Sequence, residues 1–363
     1  MLTLGVEEEF LLVDPEHGVP VPLAGPVRAV LGRQPALDTE EVRPEMLQVQ
    51  LETATPVCTG LDEIGGHLLR LRHALSAAAE TAGCRLAATG SAPLAGPLPA
   101  PVTEEHRYRA LMAAAPQLAD EQLINGMHCH VGVPDRATAV AVVNRLRPWL
   151  CVLIAMGANS PFWQGADTGF ASWRTVVFDR WPAGGQPPPF AGEADYERRA
   201  DALVATGVVG DRGQFYWRAR PSERFPTVEV RALDVQLRVE ETVMFAGLIR
   251  ALVDTAIADT AAGAPLPGVH EEVLRAADWQ AARHGLNGML VDPFTAGRRR
   301  AGDLVRALLA QVRPALERAG DLRTVSTLAE RLVREGTAAD RQRRAHRAGG
   351  WPGVLQLTTG TVD

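Results

Sequence analysis

Lysine is missing altogether: apart from nine histidines, every basic side chain in the chain is an arginine. That rules out the lysine of a phosphate-binding P-loop, a Schiff-base lysine and a lysine clamp on a nucleotide. A GC-rich genome explains an arginine bias without any functional cause. The exclusion stands regardless: a phosphate bound here is held by arginine, metal or backbone. Cysteine is scarce. Cys58, Cys84, Cys129 and Cys151 make no C-x-x-C pair and no disulfide framework, so free thiols are expected, with Cys129 buried. No strongly apolar run is long enough for a membrane helix; Trp149 to Ala158 is about half of the ~20 residues required. MLTLGVEEEF has neither a basic start nor a long apolar stretch, so no signal peptide is expected. A soluble, cytoplasmic protein with no membrane partner is the expectation. The formal charge of −6 argues against a nucleic-acid partner, whose affinity would rest on phosphate contacts.

What the chain does have is charge in unusual places. Glu7 and Glu9 lie in GVEEEFLLVD, His128 and His130 in INGMHCHVGV, and Glu229 and Arg231 in TVEVRALD. Each pair sits two residues apart inside a short apolar run with strand character. On a strand such residues share a face, about 6.5–7 Å apart. If the three strands are neighbours, one sheet face carries three carboxylates, two imidazoles and a guanidinium. That is no apolar core, and it calls for bound cations.

Strands are expected at 2–13, 84–92, 123–133, 214–219 and 226–237, with a further element at 42–55. In VRPEMLQVQLETAT, Leu47, Val49 and Leu51 alternate with polar residues. Glu45 and Glu52 are seven apart, which an uninterrupted strand would put on opposite faces; a helical turn after Pro44 or a bulge could join them. Helices are expected at 61–82, 104–119 and 136–158, the last kinked or broken at Pro148. Residues 159–192 read as a long loop with Trp163, Trp173 and Trp181, the kind of segment that often carries function. Amphipathic helices follow at 240–262, 270–283, 298–318 and 321–335. The fold class is α+β with a mainly antiparallel sheet. A single domain over 1–363 is expected: a sheet-forming part to about 238, a helix-rich part over 239–350 and a short tail.

Carboxylates with imidazole suit Mg²⁺ or Mn²⁺ better than Ca²⁺. The absence of HExxH, a cysteine cluster or a histidine triad argues against catalytic zinc. Each pair has a plainer reading: a solvated glutamate run, a strand HxH, a structural ion pair. Their joint presence carries the argument, together with the FLLV that follows the glutamates where a surface strand would be polar.

GVEEEFLLVD, INGMHCHVG and TVEVRALD resemble, in order, three sheet motifs of the glutamine synthetase superfamily. EMLQVQLETATP, NSPFWQGADTGFASWR, FPTVEVRALDVQL and WQAARHGLNGMLVD make the chain still more similar to YbdK-type carboxylate–amine ligases, the type 2 glutamate–cysteine ligase family, from residue 2 to about 349. The resemblance implies a glutamine synthetase-like antiparallel sheet curled into a partial barrel, holding ATP and two or three Mg²⁺ or Mn²⁺ ions. It implies metal ligation by Glu7, Glu9, His128 and Glu229, and matches Glu45 and Glu52 to acidic positions counted with them. Glu8 falls on the other face. His130 matches a histidine near the ATP phosphates, although some glutamate–cysteine ligases have asparagine there. Arg231 matches an arginine close to the transferred phosphate, and Arg174 is the candidate for a second arginine facing substrate.

The implied reaction phosphorylates a carboxylate with ATP and lets an amine displace the phosphate. It needs positioning and charge neutralisation rather than a serine or cysteine nucleophile. Trp163, Trp173 and their neighbours would line or close the pocket. The nominal substrates are glutamate and cysteine. The alternatives are other acids and amines, a metal-dependent amide hydrolase, or a degenerate scaffold. The helical final third is expected to support a homo-oligomer, a dimer.

Overall fold

The computed structural model describes residues 1–33, 41–96 and 99–360. Parts of the two proline-rich connections, 34–40 and 97–98, and tail residues 361–363 lie outside the described residues. The centre is an antiparallel sheet built from β1 (Leu4–Val13), β2 (Val42–Pro44), β3 (Gln50–Ala54), β4 (Arg85–Ala87), β5 (Gly126–Gly132), β8 (Ala219–Pro221) and β9 (Thr227–Asp234). The order is β2-β3-β1-β5-β9-β8, with β4 pairing the end of β1, and the sheet does not close on itself. The expectation of an α+β fold with a mainly antiparallel sheet and a helical C-terminal part is met. The three motif strands are direct neighbours: Glu7 faces His128, and His130 faces Glu229.

The register explains the two-residue spacing. Leu4, Val6, Met127, Cys129, Val131, Val228 and Val230 point to the back of the sheet. There they pack on α5 (Arg136–Met156) and α8 (Val239–Ala261) in the largest core cluster. Full burial of each large aliphatic contributes roughly 1.5–3 kcal/mol, so a slip by one residue would be very costly. The intervening residues are thereby fixed on the front. The pairing of β5 with β9 shifts between Met127 and Cys129, leaving an extra residue on β9 opposite His128. This bulge sits beside Arg231, and past it Ala232 and Leu233 both enter the back core.

Several elements differ from the sequence reading. Residues 42–55 form a hairpin, with Pro44 opposite Leu51 and Arg43 opposite Glu52, rather than one strand. The helix expected at 104–119 is two helices, α3 (His106–Ala114) and α4 (Pro116–Asp120), divided at Ala115–Pro116. Helix α5 runs unbroken through Pro148; the lost intrahelical bond is outweighed by burial of 15 of its 21 residues. It is long and apolar enough to span a membrane, but 83% of its most apolar window is buried in the fold. The tryptophan segment contains two short strands, β6 (Phe162–Trp163) and β7 (Ala166–Asp167), and helix α6 (Trp173–Phe178). The strand expected at 214–219 is a 3-10 turn followed by β8.

Four further elements are not expected: α1 (Ala24–Leu31), α7 (Glu193–Ala205) and the hairpin β10 (Met289–Asp292) with β11 (Gly297–Arg300). α2 (Leu61–Thr81), α9 (Glu271–His284), α10 (Ala301–Ala319) and α11 (Leu322–Glu335) lie close to the expected helices. The expected tail is instead helical: α12 (Ala338–Thr359) kinks at Gly349–Gly350 and resumes at Trp351–Pro352. Pro352 is tolerated because it falls in the first turn of the segment that resumes after the kink.

Candidate active site

The front of the sheet is the floor of a cavity of about 340 Å³. β1 contributes Glu7 and Glu9, β3 contributes Glu52, β5 contributes His128 and His130, and β9 contributes Glu229 and Arg231. Glu45 arrives from the turn of the β2–β3 hairpin, so neither a helical turn nor a bulge is what joins it to Glu52. Glu8 turns to the back, where it pairs with Arg72.

The acids and imidazoles fall into three groups whose ligand atoms lie within 4.8 Å of one another: Glu7–Glu52–His128, Glu7–His130–Glu229 and Glu9–Glu45–Glu52. An octahedral ion with bonds of about 2.1 Å spaces its donors roughly 3–4 Å apart, so small adjustments would close each group on a cation. His128 Nδ1 lies 3.1 Å from Glu7 Oε2, and its Nε2 is 3.6 Å from Glu9 Oε1. His130 Nδ1 meets Thr227 Oγ1 at 3.0 Å, and its Nε2 is 3.6 Å from Glu7 Oε1. Both Nε2 atoms are buried without a hydrogen-bond partner. Orphaned buried nitrogens facing carboxylates are what metal ligands look like without their ion.

Electrostatics split the acids into two kinds. Burial lifts Glu45 to about 7, and the charge on Glu9 adds to the push. Burial, then Glu7 and Glu45, raise Glu52 well above the ordinary carboxylate range. Burial also opposes ionisation of Glu229, but Arg231 and then Arg220 outweigh it and hold the carboxyl down. Glu7 is likewise held low, against burial, by its hydrogen bonds to His128 and His130. Burial, and then Arg231, push the His128 imidazole down, toward the neutral form that ligates metal.

Arg231 lines the cavity and pairs with Glu229. Arg174, expected to face substrate, does not line it. Its side chain is buried behind Arg231, with Nη1 and Nη2 each 3.4 Å from the Arg231 carbonyl and the guanidinium over the Phe178 ring. It touches the backbone of Arg231 and not the cavity itself. Gly126 makes room for it: a Cβ there would lie 2.3 Å from Arg174 Nη2. We therefore expect Gly126→Ala to push the guanidinium aside and lower turnover about tenfold. The melting temperature should hold, because the movable end of a long side chain gives way. Unchanged turnover would show Arg174 to be dispensable.

Of the tryptophans, Trp181 lines the cavity; Trp163 and Trp173 pack around it in the neighbouring aromatic cluster instead. Sequence reasoning missed Arg220, whose Nε donates to Glu229 Oε2 at 2.8 Å, and Arg43, which lies opposite Glu52. It also missed Arg107, Tyr108, Tyr216 and Phe225 on the walls. The same two-residue alternation marks Arg43 with Glu45, a signal available but unused.

The family model for glutamate–cysteine ligase family 2 matches residues 3–357. A Saccharopolyspora erythraea protein named "Putative glutamate–cysteine ligase 2-1" is 44% identical over 346 residues, covering 95% of this chain and 90% of its own. A Mycolicibacterium vanbaalenii protein, named as number 2-2 of the same kind, is 47% identical over 345 residues, covering 95% and 93%. A crystal structure of a glutamate–cysteine ligase from Francisella tularensis in complex with AMP is similar at a TM-score of 0.72 and 15% identity. That alignment covers 99% of this chain and 88% of the other, and the likeness is one of fold.

Proposed function

The chain belongs to glutamate–cysteine ligase family 2, and from that premise we propose that it is an ATP-dependent carboxylate–amine ligase. Glutamate and cysteine are its nominal substrates, and other small acids and amines would pass through the same steps. The observation that carries this reading is the set of three carboxylate and imidazole groups sharing one cavity with Arg231.

Glu7, Glu9, Glu45, Glu52, His128 and Glu229 would hold two or three Mg²⁺ or Mn²⁺ ions, with His130 serving either an ion or the ATP phosphates. When bound, the ions would offset the charge of polyphosphate and of the phosphoryl group in flight. A carboxylate oxygen of the acid attacks the γ-phosphorus and ADP leaves. The amine nitrogen then attacks the acyl carbon, phosphate departs, and the amine gives up a proton. Arg231 would orient the transferring phosphoryl group, held in place by Glu229 and by Arg174 behind it. Trp181, Tyr216 and Phe178 would shield the acyl phosphate from water. A thiol nucleophile is not required: burial pushes Cys129 up to about 12, and its side chain lies in the core behind the sheet. The donor set facing the cavity is mostly carboxylate, which suits Mg²⁺ or Mn²⁺ better than the zinc of the hydrolase alternative.

ADP release measured over a panel of acids and amines tests the reading, with γ-glutamylcysteine the first product sought. Folded protein that releases no ADP with any pair, under Mg²⁺ and under Mn²⁺, would overturn it.

Metal binding makes a separate prediction. Glu45 and Glu52 retain protons more readily than ordinary carboxylates, and a cation displaces them. Mg²⁺ or Mn²⁺ affinity should therefore rise as pH climbs towards and through about 7, the value for Glu45. Calorimetry in buffers of different ionisation enthalpy should show proton release, and the metal should raise the melting temperature. Heats indifferent to the buffer would contradict the assignment of these two acids.

A further inference from the structure

Behind α6 lies a second cavity, of about 450 Å³, that shares no lining residue with the first. Its size is within the roughly 300–1,000 Å³ of small-molecule pockets. One wall is the back of α6, another is the loop over 184–188, and a third is a stripe of α9. On that stripe Glu271, Leu274, Asp278 and Ala282 recur at helical spacing. Trp279, which opens the WQAARHGL motif that the ligase chemistry leaves unused, completes the wall and is 57% exposed.

Opposite charges share this space, and most are buried. Arg147, Arg218 and Asp278 are 8%, 4% and 3% exposed. Arg218 is fully engaged, with Asp179 Oδ2 at 2.7 Å and Asp278 Oδ2 at 3.5 Å. Arg147 is not. Its Nε donates to the Pro187 carbonyl at 2.8 Å. Among the described residues its one carboxylate partner is Glu271 at 3.5 Å, a side chain 62% exposed. Gln186 Nε2 donates to Asp278 Oδ1 at 3.0 Å, which leaves Gln186 Oε1 buried without a donor.

A bracing ion-pair cluster accounts for Arg218 but not for Arg147 or for the orphaned Gln186 oxygen. An anion alone would meet Asp179 and Asp278; a cation alone would meet Arg147 and Arg218. A ligand with both charges at one end satisfies each side. We propose that this cavity is a second small-molecule site, which takes the zwitterionic head of a free α-amino acid. Its carboxylate lies on Arg147 and its ammonium between Gln186 Oε1 and Asp278. Burial lifts Asp278 to about 6, and an ammonium beside it favours the ionised form. The site abuts the catalytic wall: the Arg231 backbone N–H donates to the Arg218 carbonyl at 2.7 Å, and α6 carries Arg174 on its other side.

The experiment is calorimetric titration of the full chain, without nucleotide, with each free proteinogenic L-α-amino acid and with the matching α-carboxamides. Wild type is compared with Arg147→Met and Gln186→Leu. The expected result is binding of at least one amino acid, weakened about tenfold or more in each variant and by amidation of the ligand. Melting temperatures should stay close to wild type, and ADP release at saturating substrates should remain within about twofold. That last readout separates this site from the catalytic cavity, where a ligand loss would also remove turnover. No amino acid bound by wild type, or binding indifferent to both substitutions, would overturn the proposal. Failure of ADP release in wild type would count against the ligase reading and leave this one standing.

Discussion

Glu229→Gln is expected to lower turnover roughly a hundred- to a thousandfold, the scale on which enzymes lose rate when one preorganised polar group at the reacting centre is removed. The side chain is 3% exposed and serves two roles at once. It belongs to the Glu7–His130–Glu229 group, and it is the shared partner of Arg220 and Arg231. Glutamine keeps the shape and removes the charge. A proposed cation then loses a ligand, and Arg231 loses the contact that aims it. Alanine would blur the result, because two guanidiniums would be left facing a void in a buried site. The useful measurements are ADP release, metal titration and thermal melting on the same preparation. Turnover near wild type in a folded Glu229→Gln protein would remove the metal assignment.

The largest stability effect is expected on the other side of the sheet. Arg72→Met should cost about 3–5 kcal/mol, the usual consequence of removing one partner of a buried ion pair. Glu8 and Arg72 are both 0% exposed. Arg72 Nε donates to Glu8 Oε2 at 2.9 Å, and its Nη1 and Nη2 donate to the carbonyls of Leu237 and Gln236 at 3.0 and 2.9 Å. Thr242 Oγ1 donates to Glu8 Oε1 at 2.7 Å. One guanidinium thus ties β1 and α2 to the segment that leads into α8. Without it, Glu8 is a stranded charge in the core. Denaturant unfolding should show the shift, while turnover per folded molecule survives at low temperature. Replacing both partners, Glu8→Leu with Arg72→Met, should recover much of the loss. A single-variant cost below about 1 kcal/mol would contradict the account.

Glu8 also marks how far the sequence could be read. Two-residue spacing placed Glu7, Glu9, His128, His130, Glu229 and Arg231 on a common face, and their register agrees. The same spacing put Glu8 behind them but could not name its partner, since Arg72 lies 64 residues away on a helix. Glu45 was legible as a candidate and not as a position, because a hairpin and a broken strand give the same apolar pattern over 42–55. Arg174 was read too literally. Its place in the motif suggested contact with substrate, whereas burial behind Arg231 follows from Gly126, whose missing side chain makes the space. The helical end of the chain is not legible either: a short tail is expected there, whereas α12 bends at Gly349–Gly350 and continues to Thr359.

The three acid and imidazole groups differ in how they are anchored. Glu7, Glu52, His128, His130 and Glu229 ride on paired strands, whereas Glu45 hangs from a turn stitched to a neighbouring loop. Gln48 N–H donates to the Pro101 carbonyl at 2.8 Å, and Thr103 N–H to the Met46 carbonyl at 2.8 Å. Lengthening that loop by a residue near Val102 would pull one acid out of the cavity and leave the rest of the floor untouched. If these acids hold cations as proposed, Glu45 is the one ligand whose place depends on contacts between two loops rather than on strand pairing.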